Sequence, residues 1–135
     1  MDKMDRFISD RFSHTPVFFI LWKMLSNDTL RAKTVVVWEK MLEKGLDELE
    51  WIDGVWKWWK EVLEFFKREN SWEWNMWSDD GDLIYSWWEV IGDIYERTVL
   101  NPILEKLGMD EWELINLADE KWLEWYKQKQ TKQKQ

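Results

Sequence analysis

The chain has no cysteine, one histidine, two prolines and five glycines in 135 residues. Without cysteine there is neither a disulfide framework nor thiolate chemistry, and the redox compartment is unreadable. A single histidine, His14, leaves no His/Cys metal cluster and no Ser–His or Cys–His pair with visible partners. It precedes Thr15-Pro16 and reads as a solvent-exposed turn residue. No Gly-rich phosphate loop and no nucleophile elbow is present. The longest apolar run, Pro16 to Trp22, stops at Lys23, well short of the roughly 20 residues that a membrane span needs. It follows Asp2, Asp5 and Asp10 where a signal peptide has basic residues. The expectation is a soluble, cytoplasmic protein without a membrane partner.

What the chain does have is tryptophan and negative charge. There are 14 tryptophans, and 27 acidic residues face 19 basic ones for a net charge of -8. The surplus is uneven. Residues 1–40 carry seven basic and five acidic side chains, residues 41–126 carry eight and 22, and residues 127–135 carry four lysines. A body this acidic repels phosphate backbones and anionic headgroups, so direct nucleic-acid or membrane-surface binding is disfavoured and a basic partner is favoured. At 45% apolar and 34% charged, the composition is that of a folded globular chain. Its size suits one domain, expected over residues 1–126. The Lys/Gln tail at 127–135 has no apolar side chain to bury and is expected to be frayed or disordered.

Helical periodicity dominates. Met4, Phe7, Ile8 and Phe12 form one amphipathic stripe. Thr15-Pro16 reads as an N-cap with proline in the first turn, and Ser26-Asn27-Asp28 offers the next cap. The Val35-Val36-Val37 triplet has strand propensity, but its flanks keep the helix period and Gly45 supplies a stop. From residue 47 to 69 two apolar stripes run side by side, one through Leu49, Ile52, Trp56, Trp59 and Leu63, the other through Trp51, Val55, Trp58 and Val62. Gly54 either bends this helix or lies within it. Asn101-Pro102 reads as the opening of a new short helix, and Asp110 with Glu113 as an acidic capping box for the last one. The fold class is therefore all-α, a single irregular bundle of about five to six helices. A Trp-rich loop is expected at 70–82, where Asp80-Gly81 makes a short hairpin the alternative.

Two features point to function. Trp38, Trp56, Trp59, Trp87, Trp88, Trp122 and Trp125 lie on apolar helix faces and read as core, whereas Trp72, Trp74 and Trp77 in the loop and Trp58 on the second stripe cannot all face inward. Exposed indoles anchor interfaces because one side chain covers much area at low entropic cost. Glu89, Asp93 and Glu96 stand at i, i+4 and i+7, and Glu43, Asp47 and Glu50 repeat that spacing around Gly45. Like charges so placed cost a few tenths of a kcal/mol each, so stability alone does not select them. Glu73, Asp79, Asp80 and Asp82 near Trp72, Trp74 and Trp77 can be drawn as a glycosidase-type carboxylate pair, but with 27 acids and 14 tryptophans such adjacency is expected by chance, and Asp79-Asp80-Gly81-Asp82 lacks the ligand spacing of a calcium loop.

The expected function is thus non-enzymatic, without metal or cofactor: an acidic module binding a basic protein, such as a nuclease or another nucleic-acid-handling protein. In this reading Trp72, Trp74, Trp77, Asp79, Asp80, Glu89, Asp93, Glu96, Glu43, Asp47 and Glu50 form the contact. A stoichiometric inhibitor or adaptor of the phage counter-defence or immunity type has this charge and size. Two alternatives stay open: a Trp-lined bundle binding an apolar or cationic small molecule, and a structural subunit of a virion or assembly.

Overall fold

The computed structural model describes residues 3–69 and 81–133. These residues form helices joined by short turns, and no strand occurs among them. In chain order the elements are α1 (Lys3–Phe12), α2 (Pro16–Met24), α3 (Asp28–Glu43), α4 (Leu49–Glu69), α5 (Gly81–Tyr95), a π-helical segment (Glu96–Leu100), α6 (Asn101–Leu107) and α7 (Glu111–Gln133). The fold class is all-α, built by packing helix on helix. The chain gathers into two compact units, Met1–Leu46 with Leu104–Gln135, and Asp47–Ile103. Residues 70–80, which hold most of the expected Trp-rich loop and its hairpin alternative, lie outside the described residues.

In the first unit the α1 stripe is buried as its period requires, with Met4, Ile8 and Phe12 all inside. Phe7 meets Trp38 of α3 at 4.7 Å between ring centroids, and Arg31 Nη2 donates to Asp5 Oδ2 at 2.7 Å. That pair supplies the opposite charge a buried carboxylate needs. Thr15 is extended, but its hydroxyl donates to the Phe12 carbonyl at 2.8 Å and makes no cap bond; Pro16 alone marks the start of α2. Asn27 does cap α3, its Oδ1 accepting from the backbone N–H groups of Thr29 at 3.0 Å and Leu30 at 3.1 Å. The valine triplet is helical and buried along with Ala32, Trp38 and Met41, so burial overrides β propensity.

Two glycines end helices in the left-handed region. After Gly45 (φ 71°) the Leu46 N–H returns to the Met41 carbonyl, and after Gly108 (φ 66°) the Met109 N–H returns to Leu104. Both are Schellman closures, in which glycine adopts positive φ without a Cβ penalty. Asp110 Oδ1 accepts from the Glu113 N–H at 2.8 Å and opens α7, as the acidic capping box predicts. Leu114 and Ala118 are its buried positions, and Lys121 Nζ reaches Glu39 Oε1 of α3 at 3.3 Å. Helix continues through Gln133, into the segment expected to fray. Lys and Gln are good helix formers, and Gln130 Nε2 donates to the Tyr126 hydroxyl at 2.8 Å.

The second unit answers the question of Gly54: α4 is one unbroken helix of 21 residues. A methyl group at Gly54 would stand 3.0 Å from the Thr98 carbonyl oxygen and 3.1 Å from Val99 Cα. Glycine is there because two backbones meet. The opposing backbone is the π-helical segment, and Pro102 explains why it is opened. Proline has no N–H to return to the carbonyl four residues back, which is Thr98, and its ring crowds that carbonyl. The helix widens instead of breaking, with the Asn101 N–H bonded to the Glu96 carbonyl five residues back. Asn101-Pro102 therefore does not begin a separate helix: α5, the π segment and α6 run on continuously.

Two substitutions check this account. Gly54→Ala improves helix propensity by about 1 kcal/mol, yet it is expected to lower stability by about 1–3 kcal/mol in urea unfolding, because the added methyl overpacks a backbone contact. An increase in stability would show that the two backbones do not meet. Asn27→Ala is expected to cost about 1 kcal/mol by loss of the α3 cap, read as a lower urea midpoint at unchanged slope.

Candidate functional site

The two units differ in charge. Asp47–Ile103 contains 14 acidic and five basic residues, a net charge of -9, whereas Met1–Leu46 with Leu104–Gln135 contains 13 acidic and 14 basic, a net charge of +1. The negative charge of the whole chain therefore belongs to one structural unit.

Within that unit α5 carries Glu89 and Asp93, one helical turn apart and both exposed. Glu96 follows at the start of the π segment and is half-buried. Arg97 is the cation beside this row in sequence, but its guanidinium is turned to α4. Nη2 donates to Glu61 Oε2 at 2.6 Å and Nη1 to Glu61 Oε1 at 3.3 Å, a bidentate pair. This hydrogen bond and the Glu61 charge hold the Arg97 pKa above its ordinary value. No ion pair links Glu89 or Asp93 to another described residue, so their field is directed to solvent.

The second acidic row does not lie on one helix. Glu43 is the last residue of α3 and ion-pairs with Lys40 at 3.4 Å. The chain then turns at Gly45, and Asp47 accepts from the Leu49 N–H at 2.9 Å as α4 begins. The i, i+4, i+7 argument requires a single continuous helix. Here Glu43 lies on a different helix, and in a different unit, from Glu50. Trp72, Trp74, Trp77, Asp79 and Asp80 lie outside the described residues.

Among the other tryptophans the division into core and surface changes. Trp58 is fully buried; its Nε1 donates to the Ile91 carbonyl at 3.0 Å and its ring meets Tyr95 edge-on at 6.1 Å. Trp51 is buried beside it on the same stripe, whereas Trp56, expected in the core, is 45% exposed. Leu49, Trp56 and Leu63, seven residues apart, are all exposed on α4. Of two adjacent apolar stripes, the one through Trp51, Val55, Trp58 and Val62 is buried throughout, while in the other Ile52 and Trp59 are half-buried and the remaining members exposed. The signal that distinguishes them was in the sequence: Gly54 falls on the side of Trp51, Val55 and Trp58, and a glycine inside a helix marks close approach. Trp38 is buried as expected, while Trp122 is 39% exposed.

Chemical sites are sparse. No group of three His, Cys, Asp or Glu side chains among the described residues is placed to hold a metal ion. His14 is exposed. A pocket in the first unit is lined by Asp28, Trp122, Trp125, Tyr126 and Lys129 and has about 60 Å³, room for about two waters and far below the roughly 300 Å³ typical of a small-molecule site. No described helix is long and apolar enough to cross a membrane. Asp47–Ile103 carries both the exposed pair Glu89 and Asp93 on α5 and the exposed side chains Leu49, Trp56 and Leu63 on α4. Comparison of the chain with protein-family models, with curated proteins and with solved structures gives no match.

Proposed function

We propose that the protein works by binding a basic protein, and that Asp47–Ile103 is the contacting unit. The observation that carries this reading is the segregation of charge, -9 in this unit against +1 in the other. Glu89 and Asp93 supply electrostatic steering, since exposed charges without local partners act on an approaching surface at about a Debye length. Leu49, Trp56 and Leu63 supply apolar area on the same unit, and tryptophan is enriched among the residues that anchor interfaces. A groove that holds nucleic acid has the complementary charge. A small acidic protein occupying such a groove acts as a stoichiometric inhibitor or adaptor and needs no catalytic group.

Affinity capture from cell lysate, with purified variants alongside the unaltered protein, tests the proposal. The partner recovered by the unaltered protein should be recovered less with Glu89→Lys/Asp93→Lys and less with Trp56→Ala, and its association should slow as salt rises. Trp56→Ala is expected to weaken binding by about tenfold or more, as truncation of an anchor does. Equal recovery by all three proteins, or a salt-independent rate, would remove this unit as the contact.

A further inference from the structure

α7 carries two seams of side chains spaced alternately by three and four residues. The inner one, Leu114, Ala118 and Lys121, is used within the first unit: Leu114 and Ala118 are buried, and Lys121 pairs with Glu39 of α3. The outer one, Trp112, Ile115, Asp119, Trp122 and Tyr126, repeats the same spacing about 100° round the helix at 3.6 residues per turn, with Leu123 next to it; Ile115 is half-buried, and Trp122 and Tyr126 border Asp28 of α3 along one edge. Trp112 is 74% exposed, and Leu123 and Tyr126 are each 47% exposed. Rings of Trp122 and Tyr126 stack in parallel, 5.4 Å between centroids and 9° between planes, giving a flat aromatic surface. A 3–4 seam is the pattern by which helices pair lengthwise.

Charge along α7 states which helix fits. Residues 110–120 contain five acidic side chains and no basic one, whereas residues 121–133 contain four lysines and one glutamate. Parallel pairing of two such helices sets like charge against like. Antiparallel pairing sets the acidic half of each against the basic half of the other, and a twofold interface requires such self-complementarity. With the crossing near Leu123, Asp119 of one copy lies opposite Lys127 of the second. Both are exposed.

We infer that the outer face of α7 is a self-association surface, and that its occupant is α7 of a second copy of this chain, running antiparallel. The aromatic and aliphatic side chains of the seam form its centre, and the opposed charges set its direction. The inference is independent of the basic-partner reading, which concerns the other unit.

Sedimentation or light scattering of the full chain over a range of concentrations measures it directly. The mass should rise from monomer towards dimer with concentration. Trp112→Glu and Leu123→Glu, at exposed sites that leave the core intact, should weaken association at least about tenfold. Asp119→Lys/Glu120→Lys and Lys127→Glu/Lys129→Glu should each self-associate about tenfold more weakly. An equimolar mixture of these last two should recover association as a heterodimer, because positions 119, 120, 127 and 129 are then all lysine on one helix and all carboxylate on the other. Monomer at every concentration would overturn the inference. So would association unchanged by Trp112→Glu and Leu123→Glu, or a mixture no stronger than its components, since like-facing or unrelated contacts lack that reciprocity.

Discussion

The contact between Gly54 of α4 and the backbone at Thr98 and Val99 governs the second unit. A helix pair separated by ordinary side chains keeps its axes 8–10 Å apart; where one position has no Cβ and the opposing helix is widened, the backbones themselves meet. Both halves of that contact are local chemistry. Gly54 removes the obstructing carbon, and Pro102 removes the N–H that would have closed an α-turn onto Thr98. The Thr98 hydroxyl donates to the Ile94 carbonyl at 2.7 Å, adding a side-chain bond within the same opened stretch. On α4 Trp51, Val55, Trp58 and Val62 are buried, as are Ile91, Tyr95 and Val99 on the opposing helix; the Trp58 ring meets Tyr95 and its indole N–H finds its acceptor on Ile91.

That packing decides the surface. Because the Trp51 and Trp58 stripe goes inside, the neighbouring stripe through Leu49, Trp56 and Leu63 remains in water, and because Arg97 is drawn to Glu61, the Glu89 and Asp93 carboxylates keep an uncompensated field. The apolar and electrostatic parts of the proposed contact are thus consequences of how the unit is closed. In the first unit the same logic applies to α7: one seam is spent on α3, and a second of equal spacing keeps Trp112, Trp122 and Tyr126 exposed. A helix with two seams is a helix with a second packing surface.

Much of this was legible in the residues. The helical period, the caps at Asn27 and Asp110, the stops at Gly45 and Gly108 and the burial of Met4, Ile8 and Phe12 all follow from local stereochemistry and spacing, which act within a few residues. The misplaced tryptophans show where that reasoning fails. Trp56 and Trp58 are two residues apart on one helix, equally apolar, and nothing in their propensities separates them. The helical spacing read into Glu43, Asp47 and Glu50 lapses for a related reason, since regular spacing has a geometric meaning only while a single helix persists.

Composition and order alone determined that the chain is helical, where most helices start and stop, and that its middle is strongly acidic, because these properties depend on backbone hydrogen bonding and on counting charges. That Pro102 widens a helix instead of starting one, and that the acidic surplus coincides with one compact unit, were decided only by the tertiary structure. The reason is the same in each case: close packing couples residues far apart in the chain, and a side chain's exposure is set by the partner it meets, not by its own chemistry.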